Sequence, residues 1–542
     1  MVPSPSLVVI AAYRLGASRR NADRGEQARM TGSEAVQDRG TAAPAPAPKV
    51  VGGSRNRRVV ALVMALLLVA VGGVLALLAA SEAPPVEFKP VQGRLGLHVT
   101  QAELAMWRER ASSGPYRRPG DAGEHTPGDW ERITERAAAF VADPSAGRWT
   151  GPIKNNPGGC VLRSSGQASD PGFVPPFKEA SELRDAAFVA MVTGRDQYAR
   201  LAKAELLAQV AEPNLDLGDR GRWCLEGIEG DNNPIFLMAN WLSRLLFAYD
   251  YLRIADARLF TDAEQRTLDE WFRGGAEWMQ PAVNRKLDAL FVDRDGGDYA
   301  LTEVGEDSYT RPLYFDGPKI RTLARRYNNR AAAAARYVAL VGVDQRQEGL
   351  IHSSKTFVRD ALTYTYYPQG VIGEFERWRQ HEPTLGWKYA LEFTGSLVTI
   401  ADVLARVGDE SLYEYQTTEG ALGTEGEHHL GGPRSLETLA EDLARYVDGT
   451  YERYATREAG QVGDPEYLIS SIDGRSGRAF IHDGFLLVGN RYWDNAYVES
   501  VVTRQSAGAP PLPVEPARSQ GDPTGGEWGI YPGVRFMFLE TP

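Results

Sequence analysis

The chain has 542 residues, with 60 Lys or Arg against 71 Asp or Glu and a net charge of −11. This acidic balance argues against nucleic acid as a partner, because nucleic-acid-binding proteins present a basic surface. The first 58 residues differ, since they carry ten Lys or Arg, four Asp or Glu and a run of Ala-Pro repeats without hydrophobic periodicity. We therefore predict a disordered basic tail over residues 1–58, with Met30 as an alternative start to Met1.

Residues 59–80 form an uninterrupted apolar run of 22 residues. About 20 apolar residues are needed for a helix to cross the hydrocarbon core of a bilayer. Basic residues precede the run and Ser, Glu and Pro follow it, so the positive-inside rule places the N-terminus in the cytoplasm. We predict a single-pass signal anchor in the cell membrane, a linker over 81–94 and an external domain. A cleaved signal peptide, which would leave the domain secreted, is the alternative; the run exceeds the usual h-region of about 7–15 residues.

The only two cysteines, Cys160 and Cys224, both lie in the part predicted to be outside. An even number of cysteines in an oxidising compartment favours one disulfide, and two buried free thiols are the alternative. Neither a Cys-x-x-Cys pair nor a zinc-type Cys/His spacing occurs. The sequence therefore predicts no metal site and no cofactor.

Helical periodicity dominates residues 95–450, and two capping boxes, Thr100–Glu103 and Thr261–Glu264, open helices there. Further helices are predicted around 130–140 and over 180–192, 198–210, 234–254, 317–343, 355–366, 386–407 and 434–447. Such apolar helices are expected to pack as antiparallel pairs around a shared core. After residue 451, short β-branched segments such as EYLISSI and AYVESVVTRQ predict strands. The predicted fold is mainly α, a ring of helix pairs followed by a β-rich or irregular part over 451–542.

Two adjacent asparagines, Asn328 and Asn329, precede an Ala-rich helical segment and are followed by Arg330. An Asn at this place is often a plain helix cap. Two amides and a guanidinium offer more donors than a cap needs, and together they could hold a carboxylate. In an otherwise acidic domain, further arginines make this a basic segment, namely Arg321, Arg325, Arg326 and Arg336.

The second candidate segment, 368–391, crowds charged and aromatic side chains into one predicted turn and helix start. Aromatic faces combined with charged groups suit a sugar site, and a salt-bridged loop with buried Trp residues is the alternative. The candidate residues are Glu374, Glu376, Arg377, Trp378, Arg379, His381, Trp387 and Tyr389.

These two segments resemble the alginate lyase family. YNNRAAAAARYVALVG is similar to that family's Asn-Asn-His helix start, and GEFERWRQHEPTLGWKYAL is similar to its Glu-x-x-Arg segment with Tyr-Ala-Leu. The resemblance, which covers roughly residues 95–410, implies an (α/α) toroid and β-elimination on a uronic-acid polysaccharide. By position it makes Asn329, with Asn328 before it, the residue that neutralises the substrate carboxylate, and Arg377 its assistant. From their residue types we expect the neighbouring Asn328, Arg330, Glu374, Arg379, Trp378 and Trp387 to bind substrate.

Two positions depart from the family pattern. Arg330 stands where the family has His, and a permanent cation cannot act as a base. The family's Tyr falls near Gly386 here, so Tyr389 or His381 is the expected proton carrier.

Three functions are consistent with this sequence. The leading hypothesis is an extracytoplasmic polysaccharide lyase that binds an anionic glycan. The second is a glycoside hydrolase, which needs two carboxylates about 5–9.5 Å apart. Glu374 and Glu376 are the candidates, although as i, i+2 neighbours they would face opposite ways in a strand. The third hypothesis is a non-catalytic glycan-binding or cell-wall-associated protein with the same toroid.

Overall fold

The computed structural model describes residues 88–115, 128–149, 175–212, 233–294, 327–364, 383–417 and 434–448, with 491–492, 494–496, 498–499, 530–533 and 536–537. The chain divides into two units, Met1–Pro85 and Val86–Pro542, and every described residue belongs to the second. The predicted tail, the apolar run 59–80 and both cysteines lie outside the described residues. Among the helices that are described, none is long and apolar enough to cross a membrane.

The described part consists of helices and contains no strand, which confirms the prediction of a mainly α fold. Both predicted capping boxes are present, because each Thr hydroxyl accepts from the Glu backbone and each Glu carboxylate accepts from the Thr backbone. The helices are α1 (Gln101–Ser112), α2 (Asp129–Ala142), α3 (Phe177–Thr193), α4 (Asp196–Val210), α5 (Asn233–Ala255), α6 (Asp262–Arg294), α7 (Asn329–Asp344), α8 (Glu348–Tyr364), α9 (Pro383–Ala405) and α10 (Leu436–Asp448).

Helices α3, α5, α7 and α9 pack side by side in that order and run parallel to one another. The contacts between neighbours show the direction, because both partners advance along their helices together: Ser181–Arg244 and Phe188–Tyr251, Asn240–Arg336 and Arg253–Asp344, Asn329–Glu392 and Arg336–Ser396. These four helices form the inner row. Every residue from 235 to 252 of α5 is buried, as expected for a helix covered on all sides.

The remaining large helices cover the inner row from outside and run antiparallel to it. Helix α2 lies on α3, α6 lies on α7, and α8 lies on α7. The contacts Trp130–Phe188 and Arg136–Asp185 run in opposite directions along α2 and α3. In α8, buried apolar residues recur every three to four positions, at Ile351, Val358 and Leu362 among others. This one-sided burial is typical of a helix with one face in solvent.

Residues 88–100, which we call the N-terminal segment, cross the C-terminal ends of the inner helices. The backbone N–H of Lys89 donates to the carbonyl of Val407 at 2.7 Å, just beyond α9, and that of Leu97 donates to the Asp250 carboxylate in α5 at 2.9 Å. The guanidinium of Arg346, just beyond α7, lies over the Phe88 ring at 5.6 Å. The N-terminal segment therefore closes this end of the inner row.

The end of the chain returns to the first helices. The indole N–H of Trp107 donates to the carbonyl of Met537 at 2.9 Å, and Arg136 donates to the carbonyl of Pro532 at 2.7 Å. The ring of Tyr531 lies 5.1 Å from that of His98 and 5.3 Å from that of Phe247. Residues 530–533 and 536–537 thereby tie α1 and α2 to the inner row.

The prediction of strands after residue 451 is wrong for the residues of AYVESVVTRQ that the structure describes. Ala496, Val498 and Glu499 are helical, and the N–H of Glu499 donates to the carbonyl of Asn495 at 2.8 Å. The Asn495 side chain also accepts from the N–H of Val498, which caps the turn, and Val498 is fully buried. This local cap and burial outweigh the β-propensity of the segment. EYLISSI lies outside the described residues.

Candidate functional site

Asn328 caps helix α7. Its side-chain oxygen accepts from the N–H of Ala331 at 2.9 Å, and its backbone has the extended conformation of an N-cap. The helix therefore begins at Asn329, whereas the sequence pattern predicted a helix from 317; residues 327 and 328 are not helical. The capping interpretation of Asn328 is confirmed, and the cap fixes where the next amide lies.

Asn329 is the first residue of α7 and contacts the neighbouring inner helix. Its side-chain N–H donates to the carboxylate of Glu392 in α9 at 2.8 Å, and only 1% of its surface is exposed. Helix α9 begins at Pro383, inside the second candidate segment. Glu392 lies in the same helix, directly after the end of that segment, 368–391. The structure thus brings Asn329 against the helix that carries the end of the second segment.

Polar side chains connect the four inner helices into what we call the interior polar layer. Its hydrogen bonds run from Arg244 to Ser181 at 2.9 Å, from Arg336 to Asn240 at 2.8 Å and from Arg336 to Ser396 at 3.2 Å, and the Asn329–Glu392 pair completes it. All members are buried except Glu392, which is half-buried. The layer is Ser181, Asn240, Arg244, Asn329, Arg336, Glu392 and Ser396.

Arg336 is a buried cation whose hydrogen-bond partners are neutral. Only 6% of it is exposed, and its Nε has no partner. Burial lowers the pKa of Arg336 to about 10, although Tyr531 and Glu392 act to raise it. The sequence pattern grouped Arg336 with a basic, partly solvated segment, whereas the structure places it inside; Arg321, Arg325 and Arg326 lie outside the described residues.

The connections between helices differ at the two ends of the inner row. The four that lead into α3, α5, α7 and α9 are residues 143–176, 211–232, 295–328 and 365–382, each of 18 residues or more. Three of the four that lead out are short, 194–195, 256–261 and 345–347, and the fourth is 406–435. Because the inner helices are parallel, their four N-terminal ends lie at the same end of the row, the end at which Asn329 lies.

The structure describes only some of the other predicted site residues. Arg330, the second residue of α7, is half-buried. Trp387 and Tyr389 belong to α9, and their side chains lie outside what is described. The remaining predicted residues, Glu374, Glu376, Arg377, Trp378, Arg379 and His381, also lie outside the described residues, as do Cys160 and Cys224.

One neighbour of the asparagine pair is directed away from the interior polar layer. The hydroxyl of Tyr327 contacts the Asp360 carboxylate at 3.4 Å, and its ring packs against Phe357 of the outer helix α8. Tyr327 is therefore excluded as the proton carrier for chemistry at Asn329 in this conformation.

Sequence reasoning missed Glu392, Asn240 and Ser396. Glu392 follows the second candidate segment directly and is one of two acidic residues, with Asp402, in the mostly uncharged stretch LEFTGSLVTIADVLA, which could have drawn attention to it. Asn240 and Ser396 carry no comparable signal, since single polar residues in apolar helices are common. Only the packing of the inner row shows that they share hydrogen bonds with Arg336.

No group of three or more His, Cys, Asp or Glu side chains in the described part is arranged to hold a metal ion. Comparison of the chain with protein-family models, with curated proteins and with solved structures found no match.

Proposed function

We propose that this protein is a polysaccharide lyase that cleaves a uronic-acid-containing, alginate-like glycan by β-elimination outside the cytoplasm. The observation that carries the proposal is the contact between Asn329 and α9. It brings the first segment that resembles the alginate lyase family against the helix that contains the end of the second, although 63 residues separate Asn329 from Glu392.

The chemistry explains why a fixed amide matters. Removing the proton α to a carboxylate requires that the developing enolate charge be held by preorganised hydrogen-bond donors. Asn329 supplies such a donor on a helix start that the Asn328 cap fixes in place. In the proposal, Arg377 helps to stabilise this enolate charge, and Tyr389 or His381 transfers the proton. Because Asn329 is almost fully buried, the proposal requires the site to rearrange when the glycan binds.

The charge distribution around Asn329 favours an anionic substrate. The N-termini of four parallel helices share this end of the inner row, and each carries about half a positive charge from its macrodipole. Beneath them, the interior polar layer contains two arginines and one glutamate. This positive balance contrasts with the net charge of the whole chain, −11.

The proposal also includes the wider architecture. Alternating inner and outer helices are the arrangement expected in an incomplete (α/α) toroid, which we propose for this domain. The apolar run 59–80 is proposed to be a signal anchor that keeps the domain outside the cell membrane.

The test uses the Val86–Pro542 unit, incubated with polymannuronate, polyguluronate, other uronans and neutral glycans. A lyase produces an unsaturated uronate, detected by its ultraviolet absorbance and by mass spectrometry. New reducing ends without that absorbance would indicate hydrolysis, and binding without turnover would indicate a non-catalytic glycan-binding protein.

Asn329→Ala is the variant that tests the site. We expect kcat/KM to fall by about 100-fold, the usual effect of removing one donor from a developing oxyanion. Arg377→Ala is expected to have a similar effect. Both variants should keep the wild-type circular dichroism spectrum, and full activity in both would refute the site assignment.

A further inference from the structure

His98 is a histidine of the N-terminal segment that is completely removed from solvent. It has 0% of its surface exposed, and its Nε2 lies 2.9 Å from the hydroxyl of Tyr251 in α5. Its Nδ1 is also buried and has no hydrogen-bond partner among the residues that the structure describes. A neutral imidazole in this place leaves one hydrogen bond unmade. An imidazolium would bury a full charge there and leave an N–H group unsatisfied as well.

Residues from three parts of the chain surround the imidazole. The rings of Phe247 and Tyr251 in α5 have centroids 4.6 and 5.4 Å from it, and the ring of Tyr531, near the end of the chain, lies 5.1 Å away. Both phenols are uncharged at neutral and acidic pH, because burial raises their pKa values. In the described part, the charge that acts on His98 is that of Arg406, just beyond α9, and it disfavours a second cation. The N-terminal segment therefore holds His98 where only the neutral form is stable.

We propose that His98 makes the docking of the N-terminal segment sensitive to acid: protonation of its imidazole releases residues 88–100 from the C-terminal ends of the inner helices. This inference is independent of the proposed lyase function. In the docked state, burial and the charge of Arg406 hold the pKa of His98 well below 6.5, whereas an undocked segment exposes the imidazole to water. Acid therefore favours the undocked state, and below pH 6.5 the docking equilibrium weakens by up to about tenfold per pH unit.

The other ionisable groups at this interface act differently. Asp250 accepts from the backbone N–H of Leu97, and burial raises the pKa of its carboxyl. A raised pKa means that the docked state binds the proton more tightly, so acid would strengthen docking through Asp250. Glu103 has a lowered pKa, so its contribution is lost only below pH 4.5. The guanidiniums of Arg94 and Arg406 stay charged throughout. A loss of docking between about pH 6.5 and 5 is therefore specific to His98.

Hydrogen exchange of the full-length chain, followed by mass spectrometry at about pH 7, 6 and 5, tests the proposal, with each rate corrected for the intrinsic rate at that pH. Peptides from residues 88–100 report docking, because the N–H groups of Lys89, Val91 and Leu97 are hydrogen-bonded to α5 and to residues just beyond α9. We expect the protection of these peptides to fall by about eightfold from pH 6 to 5, while peptides of α7 keep theirs.

His98→Gln removes the titrating group and keeps a side chain that can form a hydrogen bond with Tyr251. We expect the protection of residues 88–100 in this variant to change by less than about twofold over the same pH range. His352→Gln is the matched control, because His352 is exposed on α8 and water hydrates its imidazole whether or not the segment is docked. This variant should lose protection in acid as the wild type does.

The wild type decides the proposal even if His98→Gln does not fold. Protection of residues 88–100 that does not change in acid would overturn it, as would an equal loss in α7, which would mean that the whole domain opens. Persistence of the acid loss in His98→Gln would assign the loss to another group. Tyr251→Phe is a second variant, which keeps the imidazole and removes its hydrogen-bond partner. It should keep the acid loss at a lower overall protection, and disappearance of the loss would contradict the role of His98.

Discussion

The two ends of the inner row use polar residues in different ways. At the C-terminal end, Arg253 pairs with both Asp250 and Asp344, and Arg406 makes a two-point contact with Glu103 at 2.8 and 2.9 Å. In the interior polar layer, toward the other end, Arg336 has only neutral hydrogen-bond partners. The C-terminal end is stabilised by arginines paired with carboxylates, whereas Arg336, in the middle of α7, forms hydrogen bonds only with neutral groups.

This difference shows which end is structural. Buried cations with carboxylate partners hold elements together, whereas a buried cation without such a partner lowers stability and is retained where function needs it. Burial alone would lower the pKa of Arg253, but Asp344 and Asp250 raise it above its ordinary value, the reverse of the outcome at Arg336. The carboxylate pairs thus stabilise the closed end, and the end at which α7 begins with Asn329 is the candidate for function.

The largest expected effect on stability comes from Arg253→Met. The change leaves Asp250 and Asp344 buried without their shared cation and should lower the free energy of unfolding by about 3 kcal/mol. Arg336→Met is the matched comparison in the interior polar layer. It should cost about 1 kcal/mol or less, because relief of a buried charge offsets two lost hydrogen bonds. Urea denaturation of both variants measures the difference, and equal losses would contradict the distinction between the two ends.

Gly408→Ala should lower the free energy of unfolding by about 2 kcal/mol, because it disturbs the packing of the closed end. Gly408 has a φ of +92°, and an added Cβ would lie 2.5 Å from the carbonyl oxygen of Lys89 in the N-terminal segment. Gly349→Ala is the control, because a Cβ there meets nothing within 4 Å and the residue lies in helix α8. Thermal unfolding should show a loss for the first variant and no loss for the second. A Gly408→Ala protein as stable as Gly349→Ala would show that the N-terminal segment does not pack as described.

Glu103→Gln should have a smaller effect that depends on pH. Burial alone would raise the pKa of Glu103, but hydrogen bonds and charge from Arg406, with hydrogen bonds from Thr100, hold it below 4.5. Its stabilising contribution is therefore present above pH 4.5 and is lost as the pH falls through the lower value of the folded state. We expect Glu103→Gln to be less stable than the wild type by about 1 kcal/mol at neutral pH, with the difference shrinking in acid.

Glu264→Gln is the control for that measurement. Glu264 occupies the same capping-box position in α6, but it pairs with Lys203 through a single contact at 2.8 Å, whereas Arg406 contacts Glu103 at two points. Solvent screens such a pair, so its pH-dependent contribution should be smaller than that of Glu103. Denaturant titrations at several pH values compare the two, and a larger effect at Glu264 would contradict the assignment of Glu103 to the closed end.

Local signals predicted most of the helical elements. The two capping boxes, the Thr193-Gly194 break between α3 and α4 and the apolar stretch of α5 all lie where the sequence placed them. The hydrophobic periodicity extended α7 back to residue 317, past the cap at Asn328, and the prediction of a strand was wrong where tertiary burial outweighed β-propensity, as at Val498. Side-chain caps and burial are decided by neighbours that a short window does not contain.

The sequence by itself determined that this is a helical protein, that Asn328 is placed to cap a helix, and that an amide and an arginine-rich segment stand together around Asn329. Only the tertiary structure decided that α3, α5, α7 and α9 run parallel, that Arg336 is buried among neutral partners, and that Asn329 donates to Glu392. Helix formation depends on contacts three and four residues apart, which the sequence contains directly. The interior polar layer depends on contacts between residues about 60 to 100 positions apart, which exist only after the helices have packed.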